Sequence, residues 1–578
     1  MSAAAELSPP RLLPGKRPHA LRLSRDDVIA RHGLVLVVAF LVLFLLAPMA
    51  AIFVHAVQDN DGHFVGLTHF TGYLQSPALL SAVWRSVWVS VSVVLISVPM
   101  AFVFAYALTR SCAPLKGTFR LIALIPLLAP SLLSAIAFIQ WFGNQGVLKG
   151  MLGWFGLSTI YGAPGIILAE VYNTFPHALM ILLTALSLAD GRLFEAADSL
   201  GTTRWRKFFT ITLPSCKYGL ISAVTVVFTY VISDFGAPKV IGGNFNVLSV
   251  DVFKQVVGQQ NFGRGAVVGL LLLIPSIISF FIDSQARRHL RAQLSARSVP
   301  FTPRPHWRFD ALMTAYCAFV CLLLLSVVGM ALWTSFIKLW PYDLSLTLKH
   351  YRYALIESDF APAYGNSLKL GAITAVFGSM AVFIGAYLIE KTRGLEFVRP
   401  LIHLLAMLSM AVPGLVLGLG YIMFFNHPHN PLNFLYSTMT ILVLSVIVHY
   451  YTSSHLTAVT ALKQIDNEFE SVSASLRVPF YKTFFRVTLP VCLPAVLDIA
   501  RYYFVVSMAT LSGVVFLYSP DTVLASVAIM NLDEAGDIGP AAALASMTVL
   551  TSIAVCLLYA LATRVLLMKT QAWRRTGR

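Results

Sequence analysis

Charge is scarce in this chain. Only 12% of its 578 residues are charged, against 57% that are hydrophobic. A soluble protein of this length could not hide so much apolar surface, which excludes a water-soluble globular domain. Cysteine is scarce too. Cys112, Cys216, Cys317, Cys321, Cys492 and Cys556 lie in or beside apolar runs. None has metal-ligand spacing with histidine, and no pair sits in a long external loop, so a disulfide framework or zinc site is excluded. The chain also lacks G-x-x-x-x-G-K followed by Ser or Thr, as well as H-E-x-x-H and G-x-S-x-G. It cannot hydrolyse ATP itself, and no catalytic constellation marks it as an enzyme. No cofactor or metal is expected in the chain.

Long apolar runs are what the sequence has instead. Continuous runs near 20 residues match the length of a membrane-crossing helix and do not alternate as barrel strands do. About twelve spans are expected. In the first half they fall near 33–57, 79–108, 119–142, 164–189, 215–235 and 265–286. In the second they fall near 309–336, 364–389, 398–425, 436–462, 491–518 and 540–567. The fold class is therefore an all-α polytopic membrane protein. The net charge of +16 is scattered over several loops, which fits positive-inside topology and not a nucleic-acid patch. Arg11, Lys16, Arg17, Arg22, Arg25 and Arg31 precede the first span. Arg287, Arg288, Arg291, Arg297, Arg304 and Arg308 fill the middle, and Lys569, Arg574, Arg575 and Arg578 end the chain. Both termini and the middle segment should be cytoplasmic. The N-terminal apolar run is too long for a cleaved signal peptide.

One stretch is written twice. Thr184-Ala185-Leu186, Asp190, Glu195 to Gly201, Phe208-Phe209 and Thr212-Leu213-Pro214 recur as Thr460-Ala461-Leu462, Asp466, Ser471 to Arg477, Phe484-Phe485 and Thr488-Leu489-Pro490. Ser86 with Ala105-Tyr106 matches Ser367 with Ala386-Tyr387. Pro130-Ser131 then Phe138 matches Pro413-Gly414 then Tyr421. Two parallel six-helix repeats follow, with a pseudo-two-fold axis along the membrane normal and a pathway expected on it. The segments are 1–32 (cytoplasmic), 33–286 (first repeat), 287–308 (basic linker), 309–567 (second repeat) and 568–578 (tail).

Each repeated loop is polar and basic yet lies between apolar runs. In the first, helix formers precede Gly201, which permits a sharp turn. Thr202 or Thr203 can cap a second short helix, and Pro214 marks entry into the fifth span. Glu195 and Asp198 stand before the turn; Arg204, Arg206 and Lys207 stand after it. Such a helix-turn-helix can fit a groove on a partner. The second copy has Ser471-Val472-Ser473 in place of Glu-Ala-Ala, with Glu470 one place early. Arg477 replaces the glycine, and Val478-Pro479 follows, so proline is expected to enforce the bend.

The match at Glu195, Ala196, Ala197, Gly201, Ile211, Leu213 and Pro214 resembles the signature loop of ATP-binding-cassette importer permeases. That resemblance covers nearly the whole chain. It implies docking of two ATPase subunits, which bind the ATP and magnesium, on Glu195, Ala196, Ala197, Asp198 and Gly201, and on Glu470, Ser471, Ser473, Arg477 and Pro479. It also implies an external solute-binding protein, and an inner-membrane location surrounded by lipid. Fused double permeases of this kind are similar to ferric-iron permeases. Ser233 to Phe245, Pro413 to Tyr421, Phe469 to Phe480 and Phe516 to Thr522 look closer to the 2-aminoethylphosphonate branch. The cargo expected is therefore 2-aminoethylphosphonate, with ferric iron as the alternative and an ion-coupled secondary transporter as a distant one.

Glu170, Asn173, Asp234, Lys239 and His449 are the candidate pathway residues. Intramembrane polar groups either line a pathway or make interhelical hydrogen bonds, and Glu170, Asn173, His177 and His449 fit both readings. Asp234 and Lys239 flank Gly236 and Pro238 and could gate the pathway, contact cargo or simply end a span. Lys239 suits an anionic phosphonate; Asp234 or Tyr518 suits a hard ferric ion. Asp498 and Arg501 are spaced to pair with each other.

Overall fold

Proline decides where the apolar runs bend. The computed structural model describes residues 25–59, 62–292, 299, 301–392, 395, 397–466 and 468–570. The basic residues Arg11, Lys16, Arg17, Arg22, Arg297, Arg574, Arg575 and Arg578 lie outside the described residues. Nine helices among those described are long and apolar enough to cross a membrane, and three bent pairs can each make one more. The chain is an all-α polytopic membrane protein, with one short hairpin pairing Ile337–Leu339 and Asp343–Leu346.

The third span is not the straight helix expected at 119–142. Lys116–Leu128 and Ser131–Phe142 meet at 101°. Pro130 has no N–H to continue the ladder, and it holds Ala129 extended. The ninth span repeats this at Pro413, where Val398–Ala411 and Gly414–Phe425 meet at 109°. The tenth, Met439–His449 and Tyr451–Lys463, bends by 59° at Tyr450. Its counterpart Ala163–Ser187 is one helix.

The fifth span begins earlier than residue 215. It runs unbroken from Arg204 to Ser233, with a widened π turn at Phe208–Thr212. The ring of Pro214 would clash with the carbonyl four residues back, and the wide turn makes room for it. The eleventh span, Phe480–Ala509, carries the same π turn at Phe484–Thr488, before Pro490. The sixth helix continues through Arg287 and Arg288 to Ala292. Arg287 pairs there with Asp283 at 2.6 Å.

The halves repeat in detail. The Ser86 hydroxyl accepts the Leu248 N–H at 2.8 Å, and the Ser367 hydroxyl accepts the Ala525 N–H at 2.8 Å. Ser249 donates to the Asp234 carbonyl at 2.6 Å, and Ser526 to the Thr510 carbonyl at 2.5 Å. The halves also interlock. The first span packs on the ninth: the Tyr421 hydroxyl donates to the Phe44 carbonyl at 2.8 Å. Gly420 lets the backbones meet, since a Cβ there would lie 2.6 Å from the Pro48 carbonyl oxygen. The seventh span, Trp307–Phe336, packs back on the first half. Tyr316 donates to the Met100 carbonyl at 2.8 Å, and Asp310 accepts the Cys112 N–H at 2.8 Å.

Candidate functional site: two matched loops and an axial cavity

Asp190 caps the first loop helix, Gly191–Ser199, by accepting the Arg192 N–H at 3.1 Å. The helix ends at Gly201, whose φ is +65°. The Thr202 N–H returns to the Ala197 carbonyl at 3.0 Å, and the Gly201 N–H to that of Asp198 at 3.0 Å. This pair of bonds is the Schellman closure. Thr203 then caps the fifth span by accepting the Arg206 N–H at 3.4 Å. Lys207 pairs with Asp198 across the turn and holds its carboxyl below the usual carboxylate range.

The second loop makes the same closure with a different residue. The Val478 N–H returns to the Ser473 carbonyl at 2.9 Å, and the Arg477 N–H to that of Ala474 at 3.1 Å. Arg477 itself adopts φ +55°. The bend therefore does not depend on Pro479, as the sequence led us to expect. Pro479 instead stands at the start of the next helix, Phe480–Thr483. Ser473 and Thr483 close the turn through their hydroxyls, in place of an ion pair. Glu195, Ala196, Asp198, Ser471 and Arg477 are exposed, and Ala197 faces the bundle. Glu470 turns inward, 3.6 Å from Lys391.

Sequence reasoning weighed the charges of these loops and passed over their apolar residues. Leu193, Leu200, Trp205 and Phe209 are exposed on the first, and Phe469, Leu476, Tyr481 and Phe485 on the second. These occupy matching places. The signal was available, as four apolar side chains repeated in register within a polar stretch.

Each loop is anchored by a cation from the span two before its own helix. Arg110, at the end of Pro77–Arg110, donates to the Leu186 carbonyl at 2.9 Å and lies over the Phe194 ring at 4.7 Å. Lys391, at the matching end of Ala361–Lys391, donates to the Ile465 carbonyl at 2.9 Å. Residues after the sixth helix join the first loop. The Val299 carbonyl accepts the Gly191 N–H at 2.8 Å, and Phe301 packs on Phe194 at 4.7 Å.

A cavity of about 610 Å³ opens between the halves. The fifth and eleventh spans line it at matched positions: Thr225 and Arg501, Tyr230 and Val506, Asp234 and Thr510. Asn173 and His449, also matched, line it too, as does His177. Equivalent residues meeting at one cavity place it on the pseudo-two-fold axis. Tyr450 and Tyr502 also line it; no local pattern singled them out. Arg501 pairs with Asp498 at 3.2 Å.

Two candidates stand outside the lining. Glu170 is fully buried behind the wall, with its carboxyl in hydrogen-bonding reach of Asp234. Lys239 is held across the interface between the halves by Glu534, at 2.6 Å, and lies 5.0 Å from the Phe253 ring centre. It does not face the cavity, so the cation expected to greet an anionic cargo is already engaged.

The chain matches the model of the "binding-protein-dependent transport system inner membrane component" over residues 97–291 and again over 381–566. A ferric transport system permease protein of Actinobacillus pleuropneumoniae is 25% identical over 93% of this chain and 79% of its own length. A ferric transport system permease protein of Haemophilus influenzae is 26% identical over 87% and 80%. A sulfate transport system permease protein of Escherichia coli is 26% identical over 43% of this chain and 84% of its own.

Proposed function

The chain belongs to the binding-protein-dependent transport inner membrane family, carried here as two fused copies, and we propose that its cargo is ferric iron. It is a permease subunit of an importer. In this reading each loop seats one ATPase subunit at the cytoplasmic face, and a solute-binding protein delivers cargo to the opposite face. Residues 33–286 and 309–567 act as the two moving halves, joined by 287–308.

One observation carries the docking role. Two loops of different sequence close with the same backbone bonds, and the short helix after each turn continues without a break into a span that lines the axial cavity. A push on either loop is thereby transmitted along a rigid helix to the pathway.

The ferric reading draws on the two relatives matched over most of the chain, and on the cavity wall. Asp234 and the phenols of Tyr230, Tyr450 and Tyr502 offer hard oxygen donors. The Lys239 cation behind the 2-aminoethylphosphonate expected from the sequence is engaged by Glu534.

Uptake of labelled ferric iron and of labelled 2-aminoethylphosphonate, in cells with and without the chain, tests the cargo. Loss of iron uptake alone supports the ferric reading. Loss of phosphonate uptake alone overturns it and leaves the permease role standing.

A further inference from the structure

The two halves serve as controls for each other, and at one place they differ without a structural need. Glu170 is fully buried, and among the described residues no group other than the Asp234 carboxyl comes within hydrogen-bonding reach of its carboxyl oxygens. Its neighbour is the Asp234 carboxyl, which lines the cavity. Among the described residues neither carboxyl makes an ion pair, and the basic groups on the same cavity are Arg501, paired with Asp498, and the imidazoles of His177 and His449. Asn173, one turn along from Glu170, is 5% exposed and lines the same cavity with its amide nitrogen unpartnered. The Ser131 hydroxyl bonds Asp234, and the Tyr230 phenol stands close to both carboxyls.

The fold does not require these carboxyls. Asp234 accepts the Ala237 N–H at 3.0 Å at the chain reversal after the fifth span. The matching reversal after the eleventh is built on Thr510, with the same serine latch on its carbonyl. Val446 stands where Glu170 does, Gly414 where Ser131 does, and Val506 where Tyr230 does. The second half thus folds with uncharged residues at all four places. A fully buried carboxyl adjoining a half-buried one with no ion-pair partner is costly, and such intramembrane groups mark an ion pathway.

We propose that Glu170 and Asp234 form a station for a hard metal cation in transit, with Ser131 and Tyr230 adding neutral oxygens. This deepens the ferric reading and rests on it for the identity of the cargo. Carboxylate and phenolic oxygens suit a small, highly charged ion. Only two of the donors can carry a full charge, which suits a site that must release what it binds. The station lies on one wall, so cargo crosses the axis off-centre, along the first half.

The test uses the full chain purified in detergent, with terbium(III) as a hard trivalent probe read by its tyrosine-sensitised emission. Glu170→Gln and Asp234→Asn preserve volume and hydrogen bonding while removing charge. Each should weaken terbium binding by about tenfold or more, and each should cut labelled iron uptake comparably with the protein still in the membrane. Val446→Gln, at the matching site, should change neither. Unaltered terbium binding in both acidic-site variants overturns the station, as does wild-type iron uptake by both where deletion of the chain abolishes that uptake. If deleting the whole chain leaves iron uptake intact while Glu170→Gln abolishes terbium binding, the ferric cargo falls and the cation station stands.

Discussion

Lys391 lies 3.6 Å from Glu470, in the place where the first half sets Arg110 over the face of Phe194. The two halves solve one anchoring problem with different chemistry. An ion pair holds the second loop to the body of the protein, and a cation over an aromatic ring holds the first. Lys391 is 3% exposed, so it cannot lose its carboxylate without penalty.

Removing that carboxylate with Glu470→Phe should therefore cost about 3 kcal/mol, the order expected when a buried ion pair loses one member. The double variant Glu470→Phe with Lys391→Arg rebuilds the arrangement of the first half and should recover much of the loss. Thermal unfolding of the two purified variants measures the difference. Equal melting temperatures for the single and double variants would show that the two anchors are not interchangeable.

Gly201 and Arg477 hold the same left-handed place. A side chain there costs about 1 kcal/mol relative to glycine. Arg477→Gly should raise stability by about that amount, and Gly201→Val should lower it by about 1–2 kcal/mol. Uptake should suffer more from Gly201→Val than from Arg477→Val, because the second loop already carries the strain of a side chain. Equal losses in the two would count against unequal halves.

Glu195 is exposed on the first loop helix, where its backbone carbonyl accepts the Ser199 hydroxyl at 3.1 Å. Glu195→Lys should leave the protein in the membrane and abolish uptake by reversing charge at the docking surface. Co-purification of the ATPase subunit is the direct readout, and normal recovery together with normal uptake would refute the docking role.

Asp533 ends the helix Ala525–Glu534, outside the spans. Burial, with Glu534 second, raises its carboxyl to about 6 from an ordinary 3.8. The neutral acid suits the fold, so its contribution is full below the ordinary value and is lost as pH rises through about 6. The wild-type melting temperature should therefore fall between about pH 4 and about pH 6 by an increment that Asp533→Asn removes. Parallel pH profiles of the two proteins would fix its cause elsewhere.

Much of this was legible in the sequence, for local reasons. Apolar run length marked the spans, and the spacing from Thr184 to Pro214 against Thr460 to Pro490 put both loops in register. The bends at Pro130 and Pro413 were written in the sequence as prolines, but run length alone conceals a corner. The left-handed Arg477 was missed because the turn follows from the backbone closure around it, not from residue type. The engagement of Lys239 by Glu534 was hidden because Glu534 lies in the other half, and no spacing rule links them. Glu170 and Asp234 lie in the same half but on different spans, so their closeness was hidden as well.

The exchange of first spans bears on synthesis. When the first half has entered the bilayer, the surface that Tyr316 and Asp310 of the seventh span will cover still faces lipid. Its own first span has no Tyr421 to bind the Phe44 carbonyl. Neither half can reach its final packing while the other is missing. Fusion into one chain supplies the missing surface in cis, at a local concentration that two separate polypeptides would have to match by diffusion. The single chain thereby fixes the pairing of two unlike halves that could otherwise assemble with copies of themselves.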